Sequence, residues 1–222
     1  MRPRPPTALT SPLVDPDPQR PAESIRTSPT LHLIVRRDEH DERWRLRHGT
    51  DYREPMGDRR TLLLMRHAKS DYPEGVPDHD RPLAPRGIRE AGLAGDWLRA
   101  NASPIDAVLC STATRARQTL ENTRVDAPVR YSERLYGATP GTMIEDINGT
   151  ADDVGTLLVI GHEPTMSALA LVLADDEGTN IAVVERISTK FPTSAIAVLE
   201  VPGGWTGLEP GRAALTGFEV PR

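Results

Sequence analysis

Thr61-Leu62-Leu63-Leu64-Met65 runs straight into Arg66-His67-Ala68-Lys69-Ser70, and this junction decides how the chain is read. A continuous apolar run of this length suits a strand buried on both faces, because alternation is lost when neither side of a sheet meets water. The same pattern recurs downstream. Asp106–Cys110, Thr156–Ile160 and Ala195–Val201 read as further strands. Between them lie helical patterns. Pro85–Ala100 carries Ile88, Ala91, Gly95 and Leu98 on one face, and Pro85 suits a first turn where its missing N–H costs nothing. Thr114–Asn122, a short Met143–Ile147 and an apolar Pro164–Leu173 complete the set. Strands alternating with helices predict an α/β fold, a three-layer α/β/α sandwich around a mostly parallel sheet.

In such sheets, sites form just beyond the carboxyl ends of the strands. Three predicted strand ends here carry matching chemistry. The first ends in Arg66-His67-Ala68-Lys69-Ser70. The second ends in Ser111 and is followed by Thr114-Arg115-Ala116-Arg117-Gln118-Thr119. The third ends in Gly161-His162-Glu163-Pro164. Guanidinium groups present a planar fork of donors that fits phosphate oxygens. A neutral imidazole can attack phosphorus, and a second one can donate to the equatorial oxygens as charge shifts onto them.

Leu-Leu-Met-Arg-His-Ala, Ser-x-x-x-Arg-Ala-Arg-Gln-Thr and Ile-Gly-His-Glu-Pro, in that order, resemble the histidine phosphatase superfamily, which includes the phosphoglycerate mutases. Lys190-Phe191-Pro192-Thr193-Ser194-Ala195 and the closing Trp205–Pro221 segment resemble its compact SixA-type phosphohistidine phosphatase branch. The resemblance covers roughly Thr61 to the end and implies a phosphoglycerate mutase-like fold, with residues 59–222 read as the histidine phosphatase domain. It also implies that His67 is a covalent nucleophile, that Arg66 and Arg115 bind phosphate, that His162 is the second pocket histidine, and that no metal or cofactor takes part. Ser70 and Lys69 are candidate substrate contacts. The general acid stays open. Glu133 is the first candidate, in the position after the second motif where larger relatives carry an acidic residue; Glu163 and Asp71 are the others.

The segment from Thr119 to Gly161 has room for a strand and a small helix but no large cap. An open site admits a phosphorylated protein. It also suits phosphohistidine, whose imidazole leaving group can take a proton from solvent. A phosphomonoesterase for small phosphorylated metabolites or nucleotides is the alternative, and a non-catalytic phosphate-binding module is the second alternative. The module needs only the arginines, whereas this chain has both His67 and His162.

Other features read as architecture. Arg47-His48-Gly49 follows a charged stretch instead of a buried strand and is set aside as a decoy. His79 reads as loop surface, Arg117 as a surface group, and Cys110 as a packed strand residue. His67, His79 and His162 lack metal-type spacing.

Bulk properties bound the rest. The chain has 222 residues, 37% hydrophobic and 4% aromatic, so its core is aliphatic. Residues 1–60 hold 12 Arg against 10 Asp plus Glu, a net of +2, which leaves −7 of the total −5 for the remainder. A domain so acidic is a poor partner for nucleic acid. No apolar run is long enough to span a bilayer, and no apolar segment follows the N-terminal arginines as a secretory signal requires. A cytoplasmic location is expected, and one cysteine cannot form an internal disulfide. Residues 1–58, with nine of the 21 prolines, read as a disordered or non-core extension, although 31–37 has strand character. The sequence does not specify the oligomeric state.

Overall fold

The computed structural model describes residues 59–222. Expectations for residues 1–58, including the strand at 31–37 and the Arg47-His48-Gly49 decoy, lie outside the described residues.

Six strands form one sheet: β1 Arg59–Arg66, β2 Ala107–Ser111, β3 Val129–Ser132, β4 Thr156–Gly161, β5 Ile196–Pro202 and β6 Ala214–Glu219. Their spatial order is β3-β2-β4-β1-β5-β6. The β1–β4, β2–β4 and β2–β3 pairs are parallel, whereas β5 runs antiparallel to both β1 and β6. The sheet is therefore mostly parallel, as expected. Among the described residues, five α-helices accompany it: α1 Pro85–Asn101, α2 Thr114–Thr123, α3 Pro140–Asn148, α4 Thr165–Leu173 and α5 Ile181–Thr189.

The layers follow from the two-residue period of the strands. Leu62 and Leu64 of β1 join Leu157 and Val159 of β4 in a core with Met143 and Ile147 of α3, Met166 and Leu169 of α4, and Val183 and Ile187 of α5. Leu63 and Met65 point the other way, with Leu158 and Ile160, into a core with Ala94 and Leu98 of α1 and Ala116 and Leu120 of α2. Every residue of β4 is buried, which explains its unbroken apolar reading.

Two elements had no counterpart in the sequence reading. α5 was hidden because only Val183 and Ile187 of its residues are buried. β6, within the closing segment, was hidden because only Leu215 and Phe218 of its six residues are buried. The helix read as Pro164–Leu173 begins one residue later, at Thr165, with Pro164 in the N-cap position of α4. The insert between β3 and β4 holds a 3-10 turn, Glu133–Leu135, and α3, with no cap domain among the described residues.

Candidate active site

Strand register builds the site. Arg66 pairs with Gly161 across the β1–β4 ladder, and the His67 N–H donates to the Gly161 carbonyl at 3.0 Å. His67 and His162 therefore leave adjacent parallel strands at the same level, and their ring centroids lie 5.0 Å apart. The second motif supplies the brace. Thr119 Oγ1 accepts from the Ala68 N–H at 2.9 Å and donates to the Arg115 carbonyl at 2.6 Å. Gln118 Oε1 accepts from the Leu83 N–H at 2.7 Å. Arg-x-x-Gln-Thr thus aims one guanidinium and ties α2 to the segments after β1.

A cavity of about 220 Å³ opens at this rim. Its walls carry four cations, Arg66, Lys69, Arg81 and Arg115, and one carboxylate, Glu163, with both histidines between them. An acidic domain thus presents a locally cationic pocket. Ser70 lines it too, as do Tyr72 and Thr193.

His67 is held as a neutral base. Its Nδ1 lies 2.7 Å from the Ala68 carbonyl, which can only accept, so Nδ1 carries the hydrogen and Nε2 keeps its lone pair. Arg115 Nε donates toward that Nε2 at 3.3 Å. Burial lowers the His67 pKa to about 4; the Ala68 carbonyl pulls it upward, and Arg115, Arg66 and Arg81 add to the depression. His162 is likewise pushed down to about 3, chiefly by burial and then by the charges of His67 and Arg115. Ser111 Oγ accepts from the Ala113 N–H at 3.3 Å and lies 2.8 Å from His162 Nε2. The Ser111 hydroxyl can donate to that nitrogen, an arrangement that puts the imidazole hydrogen on Nδ1.

That Nδ1 is buried and has no protein partner, and neither has Arg66 Nε. Buried polar atoms left unmatched are costly, and both belong to residues that line the cavity. Arg66 NH1 is anchored on the Phe191 carbonyl at 2.7 Å, which explains why the Lys190–Ala195 segment belongs to the site.

The carboxylate candidates separate by position. Glu133 is exposed at the start of its 3-10 turn and does not line the cavity. Asp71 is exposed, and its Oδ1 accepts from the Tyr72 N–H at 2.9 Å. Glu163 lines the cavity, but its oxygens accept from the Ser167 N–H at 3.1 Å and the Ser167 hydroxyl at 2.7 Å.

Sequence reasoning missed Arg81, Asp78 and Tyr136. His79 is loop surface as read, its side chain 41% exposed, and it also makes contacts: Nε2 lies 3.1 Å from Thr112 Oγ1, and its ring meets Tyr136 edge-on at 5.1 Å. The stretch Asp78–Arg81 has the composition of a solvated loop, and no periodicity marks it otherwise. Arg117 is exposed, over the Tyr131 ring, and Cys110 is buried with its thiol pushed up to about 12 by desolvation; both agree with their architectural readings. Among the described residues, no group of three or more His, Cys, Asp or Glu side chains is arranged to hold a metal ion, and no helix is long and apolar enough to cross a membrane.

The fold and the site together define a hydrolase that works on phosphate with a histidine nucleophile. The sequence profile of the histidine phosphatase superfamily (branch 1) matches residues 62–145. An uncharacterized protein of Mycobacterium tuberculosis (strain H37Rv) is 73% identical over 158 residues, 71% of this chain and 100% of that protein. The phosphohistidine phosphatase SixA of Escherichia coli is 30% identical over 143 residues, 61% of this chain and 82% of that protein. A solved structure of a candidate SixA phosphohistidine phosphatase from Nakamurella multipartitia superposes with a TM-score of 0.67 at 37% identity, covering 73% of this chain and 96% of that one. The chain belongs to the histidine phosphatase superfamily, on its SixA-like branch.

Proposed function

We propose that this enzyme is a protein phosphohistidine phosphatase. The observation that carries the reading is the state of His67: Nδ1 is tied to the Ala68 carbonyl, Nε2 is unprotonated at neutral pH, and Arg115 points at Nε2.

In this mechanism the phosphoryl group enters between Arg66, Arg115 and His162. His67 Nε2 attacks phosphorus, an Nε2–P bond forms, and the bond from phosphorus to the substrate's imidazole nitrogen breaks. Arg66 Nε, Arg115 and the His162 Nδ1–H donate to the equatorial oxygens, where charge is spread in the transition state. The departing imidazole takes a proton from solvent. Water then attacks the phosphorus on His67, orthophosphate leaves, and the neutral imidazole is restored.

The carboxylate inventory of the cavity wall, taken over the described residues, supports this substrate class. Glu163 is the carboxylate in the cavity wall, and Ser167 occupies both its oxygens. An alkoxide leaving group needs a placed acid, whereas an imidazole does not. Among the described residues the insert between β3 and β4 holds only a 3-10 turn and α3, an open rim that suits a protein-borne phosphate.

The test is a rapid-quench experiment with labelled phosphohistidine peptide, phosphoserine peptide and small phosphomonoesters. The expected result is fast label transfer from the phosphohistidine peptide to an acid-labile, alkali-stable adduct on His67, absent in His67→Ala. Faster transfer from a small phosphomonoester than from the peptide would overturn the substrate assignment.

A further inference from the structure

Asp78 lies outside the cavity wall, yet the contacts of the wall converge on it. It begins the 3-10 turn Asp78–Asp80 in the segment between β1 and α1. Its Oδ1 is 3.0 Å from Arg81 NH2. Its Oδ2 is 3.1 Å from Arg115 NH2 and accepts from the Tyr136 hydroxyl at 2.5 Å. Its backbone carbonyl accepts from Arg115 NH1 at 2.6 Å. The Arg115 guanidinium also sits over the Tyr136 ring, 5.6 Å from its centroid, and that ring meets His162 edge-on at 5.4 Å.

Two consequences follow. Arg115 has each of its three nitrogens committed: NH1 and NH2 to Asp78, Nε to His67 Nε2. With the outer edge of the fork pinned, only Nε faces the reacting nitrogen. Arg81 and Arg115 are brought to one carboxylate, which also offsets their mutual repulsion. We propose that Asp78 is the positioning residue of this active site, setting the aim of Arg115 and Arg81 through its carboxylate, with Tyr136 holding that carboxylate in place. The inference rests on the reading of Arg115 and His67 as phosphoryl-transfer groups.

This role has a signature that a merely structural one lacks. Asp78 is an anion among the cations that receive phosphate, so it works against ground-state anion binding. It serves the transition state by fixing geometry, where displacements near 1 Å cost on the order of 100-fold. Removing its charge therefore slows chemistry without weakening anion binding, which uniform loss of binding or of fold cannot imitate.

The experiment measures the single-turnover rate of His67 phosphorylation by p-nitrophenyl phosphate at saturation, and the tungstate inhibition constant, in Asp78→Asn, Tyr136→Phe and the double variant. Asp78→Asn is expected to slow phosphorylation roughly 10- to 100-fold, with the tungstate constant unchanged or lower. Tyr136→Phe keeps the ring on His162 and is expected to slow it a few-fold. The double variant should be no slower than Asp78→Asn alone, because Tyr136 acts through that carboxylate. A phosphorylation rate within about twofold of the parent in Asp78→Asn, or a loss confined to weaker tungstate binding, overturns the inference. If Asp78→Asn does not fold, Tyr136→Phe decides alone, and an unchanged rate there overturns it. A parent that forms no adduct on His67 defeats the site reading itself, which the p-nitrophenyl substrate tests independently of phosphohistidine.

Discussion

Nε of Arg115 lies 3.3 Å from Nε2 of His67, so the guanidinium on α2 addresses the lone pair of the imidazole at the end of β1. The two residues are 48 positions apart in the chain. Both are at least nine-tenths buried, at 5% and 7% exposure. In the proposed mechanism the phosphoryl group enters at this contact, so substitutions here test that mechanism most directly.

Arg115→Lys keeps a charge but loses the planar fork that meets Asp78 with two nitrogens and His67 with the third. Both Arg115→Lys and Arg115→Ala should reduce kcat/KM by about 10²- to 10³-fold, the loss typical of one oxyanion donor. His67→Ala should abolish turnover and the adduct together, with an unchanged far-ultraviolet spectrum. Steady-state assays beside circular dichroism check both statements. Retention of turnover in His67→Ala would displace the site altogether.

The pH dependence has a defined sign. His67 is depressed from 6.5 to about 4 by burial, so its lone pair is free across neutrality and is lost only as pH falls through about 4. The acid limb of kcat/KM should therefore bend near pH 4 instead of near 6.5. Stability moves the same way. Between the folded and unfolded values the unfolded chain binds more protons, so this contribution is present above pH 6.5 and is lost as pH falls toward 4 for His67 and 3 for His162. Urea unfolding from pH 7 to 4 should show a steady decline, reduced in His67→Ala.

The exposed Glu133 should tolerate Glu133→Gln with less than about a twofold change on phosphohistidine or alkyl phosphates, since it stands outside the cavity wall. Glu163→Gln alters the wall itself and one end of the Ser167 interaction. With both oxygens engaged by Ser167, its effect on alkyl monoesters and on phosphohistidine should be similar and small, measured as single-turnover rates so that hydrolysis of the adduct does not mask the first step. A large and equal loss on both substrates in either variant would identify that carboxylate as an obligatory acid.

Gly87 in the first turn of α1 is required by its neighbour. A Cβ there would stand 2.1 Å from the Lys69 carbonyl, which accepts from the Ala84 N–H at 2.9 Å. Gly87→Ala must push α1 away from the segment that follows the nucleophile. It should cost about 1–3 kcal/mol of stability, a fall of roughly 2–4 °C in Tm per kcal/mol at this chain length. Thermal melting checks this.

We propose that the functional unit begins near residue 59, and a chain starting at Met56 should keep full activity. The cut must spare Arg60, which is 6% exposed and donates to the Val154 carbonyl at 3.3 Å and the Asp152 carbonyl at 2.8 Å. Aggregation or a non-cooperative melt of the shortened chain would place the boundary further upstream.

The sequence by itself determined the sheet, its central strands and the residues at their ends. Buried parallel strands demand unbroken apolar runs, and Leu62–Met65 and Leu157–Ile160 can hardly be read otherwise. That His67, His162, Arg66 and Arg115 meet at one rim was legible because each stands next to such a run or at a fixed offset from it. The edge strand β6 and helix α5 were not legible, since each buries too few residues to print a period. Three matters were left to the tertiary structure: which nitrogen of His67 stays free, where Glu133 falls, and what holds Arg115. The Ala68 carbonyl decides the first by proximity, and the outward 3-10 turn at Glu133–Leu135 decides the second. For the third, the reason is physical. Asp78, Arg81 and Tyr136 sit in segments with no hydrophobic pattern, where composition reads only as solvated loop. A carboxylate shared by Arg115 and Tyr136, 37 and 58 positions away, is a fact about distances in space, which spacing along the chain does not encode.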